Sequence, residues 1–317
     1  MGKYIVRRLF LLVPVAIVVY TLTFVFIRVA PGDIVDLMLD QGGGGGTRVA
    51  AEKLRAQLHL DKPIYQQYFI YSWGLLRGDL GVSFRDGKPV SSELARRAPI
   101  TLELTMMALV LALLISIPAG VVSAVKQDTP ADYVSRVGAV FFLSMPSFWL
   151  ALLILIFPAI WWGYSPPVVY KSLLEDPVTN LRQLLPPAFV LGSAYAGILA
   201  RFTRSSLLEV LRQDYIRTAR AKGLTERAVI YVHAMKNGLI PVVTMAGLQS
   251  ATLLSGAVIV ESIFNVPGLG NLTMGSIFQR DYAQLQANVL FFAVVVVMIN
   301  LLVDLSYAWL DPRVRYS

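Results

Sequence analysis

The sequence contains no cysteine and only two histidines, His59 and His233, which lie far apart in the chain. The lack of cysteine excludes disulfides, thiolate metal ligands and cysteine nucleophiles. Neither histidine has a nearby ligand partner, so a zinc site is not expected. Charged residues are also scarce, at 15% of 317 residues, whereas 56% are hydrophobic. This balance favours a membrane protein over a soluble one.

Motifs for catalysis are missing as well. No segment matches the phosphate-binding pattern G-x-x-x-x-G-K-[ST], and the glycines Gly268, Gly270 and Gly275 do not follow a strand pattern. An intramembrane enzyme would need paired acids, a Ser/His dyad or metal ligands within its spans. We therefore expect no catalytic residue, no metal site and no cofactor bound by this chain.

A membrane-spanning helix needs about 20 mostly apolar residues. Six segments meet or approach this length, which predicts an all-α membrane protein with six transmembrane helices. The fourth segment is short and is expected to continue as a helix beyond Arg201, while Pro118 and Pro146 predict kinks inside their spans. The segments are Leu9–Val29, Thr101–Val125, Val137–Ile160, Pro186–Ala200, Ile240–Val260 and Ala287–Leu310.

The distribution of lysine and arginine predicts the orientation. With the N- and C-termini in the cytoplasm, the cytoplasmic segments hold fifteen of these residues and the short outer loops hold three. The net charge of +8 is therefore mostly topological, and no basic face with interleaved aromatics predicts nucleic-acid binding. The predicted regions are an anchor helix (1–30), an extracytoplasmic region (31–99), a transmembrane core (100–310) with a cytoplasmic loop (201–239), and a cytoplasmic tail (311–317).

The extracytoplasmic region is long enough to contain structure of its own. It crosses a glycine run at Gly42–Gly46, then an amphipathic stretch at Val49–Leu60, and then an aromatic-rich helical pattern at Pro63–Leu76. The aromatic side chains of the last segment suit either a membrane interface or packing on the protein's own helices.

The cytoplasmic loop from Asp214 to Pro241 is basic and reads as two short helices. Asp214 is predicted to cap the first, and Gly223 to end it in a left-handed conformation. Thr225 is predicted to cap the second helix, which continues towards Pro241. By its charge pattern alone, the loop is equally consistent with a solvated polar face.

Sequence motifs along nearly the whole chain resemble those of ABC importer permeases, in the branch that transports dipeptides, oligopeptides and nickel. In the cytoplasmic loop, Gly223 falls on the family's glycine, Ala219 on its second alanine and Leu239-Ile240-Pro241 on its ending; Arg217 and Thr218 replace the usual Glu and Ala. Further matching stretches occur in order: YIVRRLFLLVPV, APGD, GDLGVSFRDGKPV, RRAPITLELT, LSMPSFWLALL, ESIFNVPGLG and RDY.

The resemblance implies a type I ABC importer architecture and a function in moving peptides or a related small solute into the cytoplasm. It implies that a coupling helix docks on a cytoplasmic ATPase, which binds the ATP and magnesium. The implied partners are a second homologous permease, two ATPase subunits, an extracytoplasmic substrate-binding protein and the lipid of a bacterial or archaeal cytoplasmic membrane. The implied coupling residues are Asp214, Tyr215, Arg217, Thr218, Ala219, Arg220, Lys222 and Gly223.

Polar residues within the spans are candidates for the translocation pathway. Hydroxyl and amide groups wet a path for a polyamide substrate without trapping it, but they equally suit close helix packing. The acids Glu103, Glu261 and Asp304 lie near span ends, where a structural role is favoured. An ion-coupled secondary transporter remains the alternative function, and it predicts acids near mid-membrane and an inverted repeat. The pathway candidates are Thr244, Gln249, Ser250, Thr252, Ser255, Glu261, Glu103 and Asp304.

Overall fold

A computed structural model of the chain describes residues 2–29, 35, 52, 55–56 and 59–310, except for the side chains of residues 2–9, 11–12 and 304–310. Helices dominate these ranges, and their β structure is an isolated bridge between Val82 and Pro89. The all-α prediction is confirmed. The helices are α1 (Gly2–Val29), α2 (Ile64–Leu76), α3 (Val90–Val125), α4 (Pro130–Ser144), α5 (Ser147–Trp162), α6 (Pro177–Leu211), α7 (Asp214–Ala221), α8 (Glu226–Ala228), π1 (Val229–Ala234), α9 (Met235–Gly238), α10 (Ile240–Phe264), α11 (Leu269–Phe278) and α12 (Tyr282–Leu310).

Four helices are long and apolar enough to cross a membrane, namely α3, α6, α10 and α12, and α4 with α5 makes a fifth if the bent pair is one span. In α1, the apolar stretch with described side chains is Val13–Val29. The fourth predicted span does continue past Arg201, because α6 ends at Leu211. The number of six spans stays a prediction.

The third predicted span contains the sharpest break. Helices α4 and α5 meet at an angle of 99°. Pro146 begins the second arm, and Met145 before it has extended dihedrals of −77° and 125°. Proline disfavours the helical conformation in the residue before it, so the chain turns there. The kink predicted at Pro146 is thus confirmed, whereas α3 runs from Val90 to Val125 without interruption at Pro118.

The chain divides into two compact units. Unit 1 comprises residues 1–100 and 267–297, and unit 2 comprises residues 101–266 and 298–317. In unit 1, the Arg28 side chain donates from Nε to Gln67 Oε1 at 2.8 Å and lies 3.6 Å from the Phe24 ring centroid. The hydrogen bond joins α1 to α2, and α2 itself confirms the helix predicted at Pro63–Leu76. Most of the predicted amphipathic stretch Val49–Leu60 lies outside the described residues.

Unit 2 is built around α6, where small residues let neighbouring helices approach closely. A Cβ at Gly192 would lie 2.5 Å from the carbonyl oxygen of Ala108 on α3, and one at Gly197 would lie 2.5 Å from that of Ala139 on α4. Such close backbone contacts are typical of membrane helix packing. They place α6 at the centre of the unit, directly before the loop that the sequence predicts to be cytoplasmic.

Candidate functional site

The predicted coupling helix exists as α7, and its inner side is apolar. Ile216 and Ala219 are buried, and they pack with side chains from the end of α3, from α6 and from π1. The i, i+3 spacing puts both on one face of the helix. Burial of this face fixes α7 against the rest of unit 2. The cluster contains Val121, Ala124, Leu207, Ile216, Ala219, Val229, Ile230 and Ala234.

The outer side of α7 and its end are polar and exposed. Arg217 forms an ion pair with Asp214, and Arg220 donates from Nε to Glu226 Oε1 at 2.8 Å. Exposed pairs of this kind contribute little to stability, so these charges stay available to a partner. The exposed residues of the predicted set are Asp214, Tyr215, Arg217, Thr218, Arg220, Lys222 and Gly223.

Local interactions define the turn between α7 and α8. Gly223 has φ of +79°, and its N–H donates to the Arg220 carbonyl at 2.9 Å. Thr225 caps the next helix, where its hydroxyl accepts from the Ala228 N–H at 3.4 Å. Both predictions are confirmed. The Asn237 amide donates to the Tyr215 hydroxyl at 2.9 Å, which ties α7 to the segment that enters α10.

Three features of the loop differ from the sequence prediction. The N-cap of α7 is Gln213, so the prediction of Asp214 as the cap is wrong by one residue. Ala219 faces inward, so its small size allows close packing within the chain. The second helix contains the π-helix π1, which no periodicity indicated. π-Helical turns often occur at functional sites.

The candidate pathway residues of α10 divide into two groups. Thr252 and Ser255 are exposed, and Thr252 donates to the Gln249 carbonyl at 2.7 Å. Ser250 is buried and donates to the Gly247 carbonyl at 2.5 Å, whereas Thr244 and Gln249 are half-buried. The exposed pair is therefore the most accessible part of this candidate set.

Of the acids near span ends, Glu103 and Glu261 have described side chains, and their structural role stays a prediction. The Glu103 carboxylate accepts hydrogen bonds from the Tyr170 hydroxyl at 2.6 Å and from the Asn180 amide at 2.9 Å. Burial, followed by the bond to Glu103 and its charge, raises the pKa of Tyr170 above its ordinary value. Glu261 is fully buried at the end of α10. The side chain of Asp304 lies outside the described residues.

A cavity of about 640 Å³ lies beside the start of α10 in unit 2. Arg201, Phe202, Ser205 and Glu209 of α6 line one side, and Pro241 of α10 also contributes. Arg201, Ser205 and Glu209 follow each other at intervals of four residues, so they share one face of the helix. The charged residues Arg201 and Glu209 are evident in the sequence, but no residue pattern there indicates a cavity.

Sequence reasoning also missed a buried charge cluster around Asp132. This carboxylate is fully buried and accepts hydrogen bonds from Arg204 and Ser123. In the sequence, Asp132 and Arg136 look like an ordinary exposed i, i+4 ion pair of a helix. The only available signal was an arginine, Arg204, placed at the end of an apolar segment.

Comparison with known proteins places these features in a family. A family model described as "Binding-protein-dependent transport system inner membrane component" matches residues 116–316. A second, for the N-terminal part of the membrane component of such systems, matches residues 1–105. The chain belongs to this permease family. Membership favours the ABC importer over the ion-coupled secondary transporter that the sequence left open.

Relatives of the permease extend over the full length of both chains. The dipeptide transport system permease protein DppB of Escherichia coli K12 is 40% identical over 340 residues, with 100% of each chain covered. The glutathione transport system permease protein GsiC of Escherichia coli O6:H1 is 39% identical over 317 residues, again with 100% of each covered.

A solved structure shares the fold of the permease. It is the MetNI methionine ABC transporter in inward-facing conformations, with a TM-score of 0.57 and 18% sequence identity. The match covers 69% of the permease and 96% of the other chain. At this identity the likeness concerns the fold alone.

Proposed function

We propose that the chain is the transmembrane subunit of an ATP-driven importer that moves dipeptides or related short peptides into a bacterial or archaeal cytoplasm. The observation that carries the proposal is α7 itself. Its apolar face is packed into unit 2, while its polar face is exposed between α6 and α10. A rigid helix held in this way can pass the closure of a docked ATPase to the membrane helices as a rigid-body movement.

The substrate class rests on the relatives. Relatives that match along their whole length are named for dipeptide and glutathione transport, and both substrates are short peptides. The exposed hydroxyls of Thr252 and Ser255 suit such a substrate, because they offer hydrogen bonds without a deep charge trap. The cavity of about 640 Å³ beside α10 offers space for a small peptide.

The proposed assembly contains more than this chain. Six spans, with both termini in the cytoplasm, would pair with a second homologous permease. Two ATPase subunits would bind ATP and magnesium on the inner side, and a substrate-binding protein would deliver the peptide outside. In this arrangement the chain neither hydrolyses ATP nor binds a cofactor of its own.

The test is to purify the chain in mild detergent from its own cells and to identify stoichiometric companions by mass spectrometry. We expect two P-loop ATPases and a second permease. The purified complex, placed in liposomes with its binding protein, should take up labelled dipeptide only when ATP is present. A chain that purifies alone and transports along an ion gradient without ATP would refute the proposal.

A further inference from the structure

The cytoplasmic loop is not the only link between the helices of unit 2. Asp132, in the first turn of α4, is 0% exposed. Its carboxylate accepts hydrogen bonds from Arg204 Nε at 3.0 Å and Nη2 at 2.9 Å, and from the Ser123 hydroxyl at 2.5 Å. The Asp128 N–H adds a fourth at 3.0 Å. One carboxylate therefore joins the end of α3, the start of α4 and the last third of α6.

The geometry of this cluster fixes an orientation in addition to bringing opposite charges together. Arg204 approaches both carboxylate oxygens with two nitrogens, and a bidentate fork fixes the relative orientation of the two side chains. A buried ion pair is weak evidence for stability, because well-packed apolar residues often replace it without loss. Fixing the orientation of α4 on α6 is the better account of this pair.

A second contact between α4 and α6 lies about two helical turns from the ion pair. Asp132 and Ala139 are seven residues apart on α4, and Arg204 and Gly197 are seven apart on α6, so each pair lies on one helix face. A Cβ at Gly197 would lie 2.5 Å from the Ala139 carbonyl oxygen. Together the two contacts hold antiparallel α4 and α6 along two turns.

Arg204 is also close in sequence to the coupling helix. It lies seven residues before the end of α6 at Leu211, a rise of about 10 Å. Leu207 lies between, and it belongs to the apolar cluster that buries Ile216 and Ala219 of α7. A movement of α7 therefore reaches α6 through apolar packing and would reach α4 through the Asp132 carboxylate.

We propose that Asp132 and Arg204 are positioning residues that couple α4 to the movement of the cytoplasmic loop during transport. This inference rests on the proposed importer function. The pair makes α4, α6 and α7 move as one body, while the 99° break at Met145 and Pro146 separates α4 from α5. Without the pair, α4 is held on α6 only by its remaining contacts, such as Gly197 with Ala139, and ATPase closure is passed to α4 less completely.

The first experiment measures peptide transported per ATP hydrolysed by the complete transporter in liposomes. D132N keeps the shape of the side chain and removes its charge, and R204K keeps the charge and removes the fork. We expect each to lower the ratio by roughly tenfold while the complex stays intact. R136Q is the matched control, since Arg136 lies on the same helix, 4.0 Å from Asp132, and is 49% exposed; it should leave the ratio unchanged.

The second experiment follows α4 directly. Because the chain has no cysteine of its own, Val134→Cys on α4 and Ser205→Cys on α6 are the only labelling sites that it contributes to the complex. Both positions are exposed. The distance between the labels should stay the same in the nucleotide-free and ATP-trapped states, and should change between states in the D132N background. A loss of stability alone would not create a difference confined to one nucleotide state.

The two experiments together support or overturn the proposed role of Asp132 and Arg204. An unchanged ratio in both D132N and R204K, with a label distance that is constant in every state, overturns the proposal. Should D132N fail to assemble, R204K decides by the same two measurements. Failure of the importer function is distinguishable, because then even the unmodified complex would show no ATP-dependent uptake.

Discussion

Two polar clusters of unit 2 both involve a carboxylate, but they differ in what surrounds it. At the end that we propose to be cytoplasmic, Asp132 is fully buried and meets a bidentate arginine. At the proposed outer end, Glu103 is half-buried and meets two neutral donors, Tyr170 and Asn180. Both sets of bonds end on a carboxylate, but only at Asp132 is the donor charged as well, so two opposite charges also attract each other there.

The difference between the surroundings of Asp132 and Glu103 indicates which end of unit 2 is the more rigid. The outer cluster joins α3 to a loop and to the start of α6, at the end where the proposed importer would receive its substrate. The inner cluster joins three helices beside the coupling helix, where force enters. We infer that rigidity is concentrated at the end of the unit that receives the ATPase movement.

The largest difference between the inner and the outer end of unit 2 is expected when a glycine after a helix is replaced by proline at each end. Gly223→Pro removes the N–H that donates to Arg220 and forbids φ of +79°, so α7 cannot end correctly. We expect ATP-dependent uptake to be abolished although the chain still inserts into the membrane. Uptake by reconstituted vesicles and membrane fractionation check this.

Gly163→Pro is the matched control at the outer end. Gly163 also follows a helix, has φ of +61° and donates its N–H to a carbonyl, that of Ala159. Uptake per assembled complex should stay close to that of the unmodified protein. Equal loss in both variants would mean that the damage is general, and the coupling assignment of α7 would fail.

A smaller effect is expected from overpacking the inner face of α7. Ala219→Leu adds volume to a buried position, which costs about 1–3 kcal/mol. Ala221→Leu makes the same change on the exposed side of the same helix and should be nearly neutral. Thermal unfolding of the purified complex separates them; the inward orientation of Ala219 would be wrong if both variants melted alike.

The hydroxyls of α10 allow a structural role to be distinguished from a role in the translocation pathway. Thr252→Val with Ser255→Ala removes two exposed hydroxyls, and uptake should fall roughly threefold for each one that bonds the substrate, as expected for a hydrogen bond of about 0.6 kcal/mol. Ser250→Ala removes a buried hydroxyl bonded to its own helix and should leave uptake unchanged. ATP hydrolysis should not change in either. The pathway assignment fails if Ser250→Ala has the larger effect on uptake.

The smallest effect concerns the outer cluster and pH. Because the pKa of Tyr170 is raised in the folded protein, its bond to Glu103 stabilises the fold fully below the unfolded tyrosine pKa of about 10. The stabilisation is lost as pH rises through the folded pKa. Tyr170→Phe should therefore melt lower than the unmodified chain at pH 8, and the gap should narrow above pH 10. A gap that does not depend on pH would contradict this.

Local features of the fold were predictable from the sequence, and pairings between distant residues were not. Apolar length and turn residues predicted most of the helices, the φ of Gly223 and the cap at Thr225, because each depends on neighbouring residues. The Asp132–Arg204 pair joins residues 72 positions apart, so its burial depends on how α4 packs on α6. The π-helix is equally hidden, since no side-chain pattern of Val229–Ala234 separates it from an α-helix.

The break between α4 and α5 has a consequence for the surrounding bilayer. The arms contain 15 and 16 residues, so each is about 22–24 Å long. The hydrocarbon layer is about 30 Å thick, so neither arm matches it alone. If the two arms form one span, we expect lipid thickness to act on the angle between them, so vesicles of short- and long-chain lipids should give different uptake rates from identical protein.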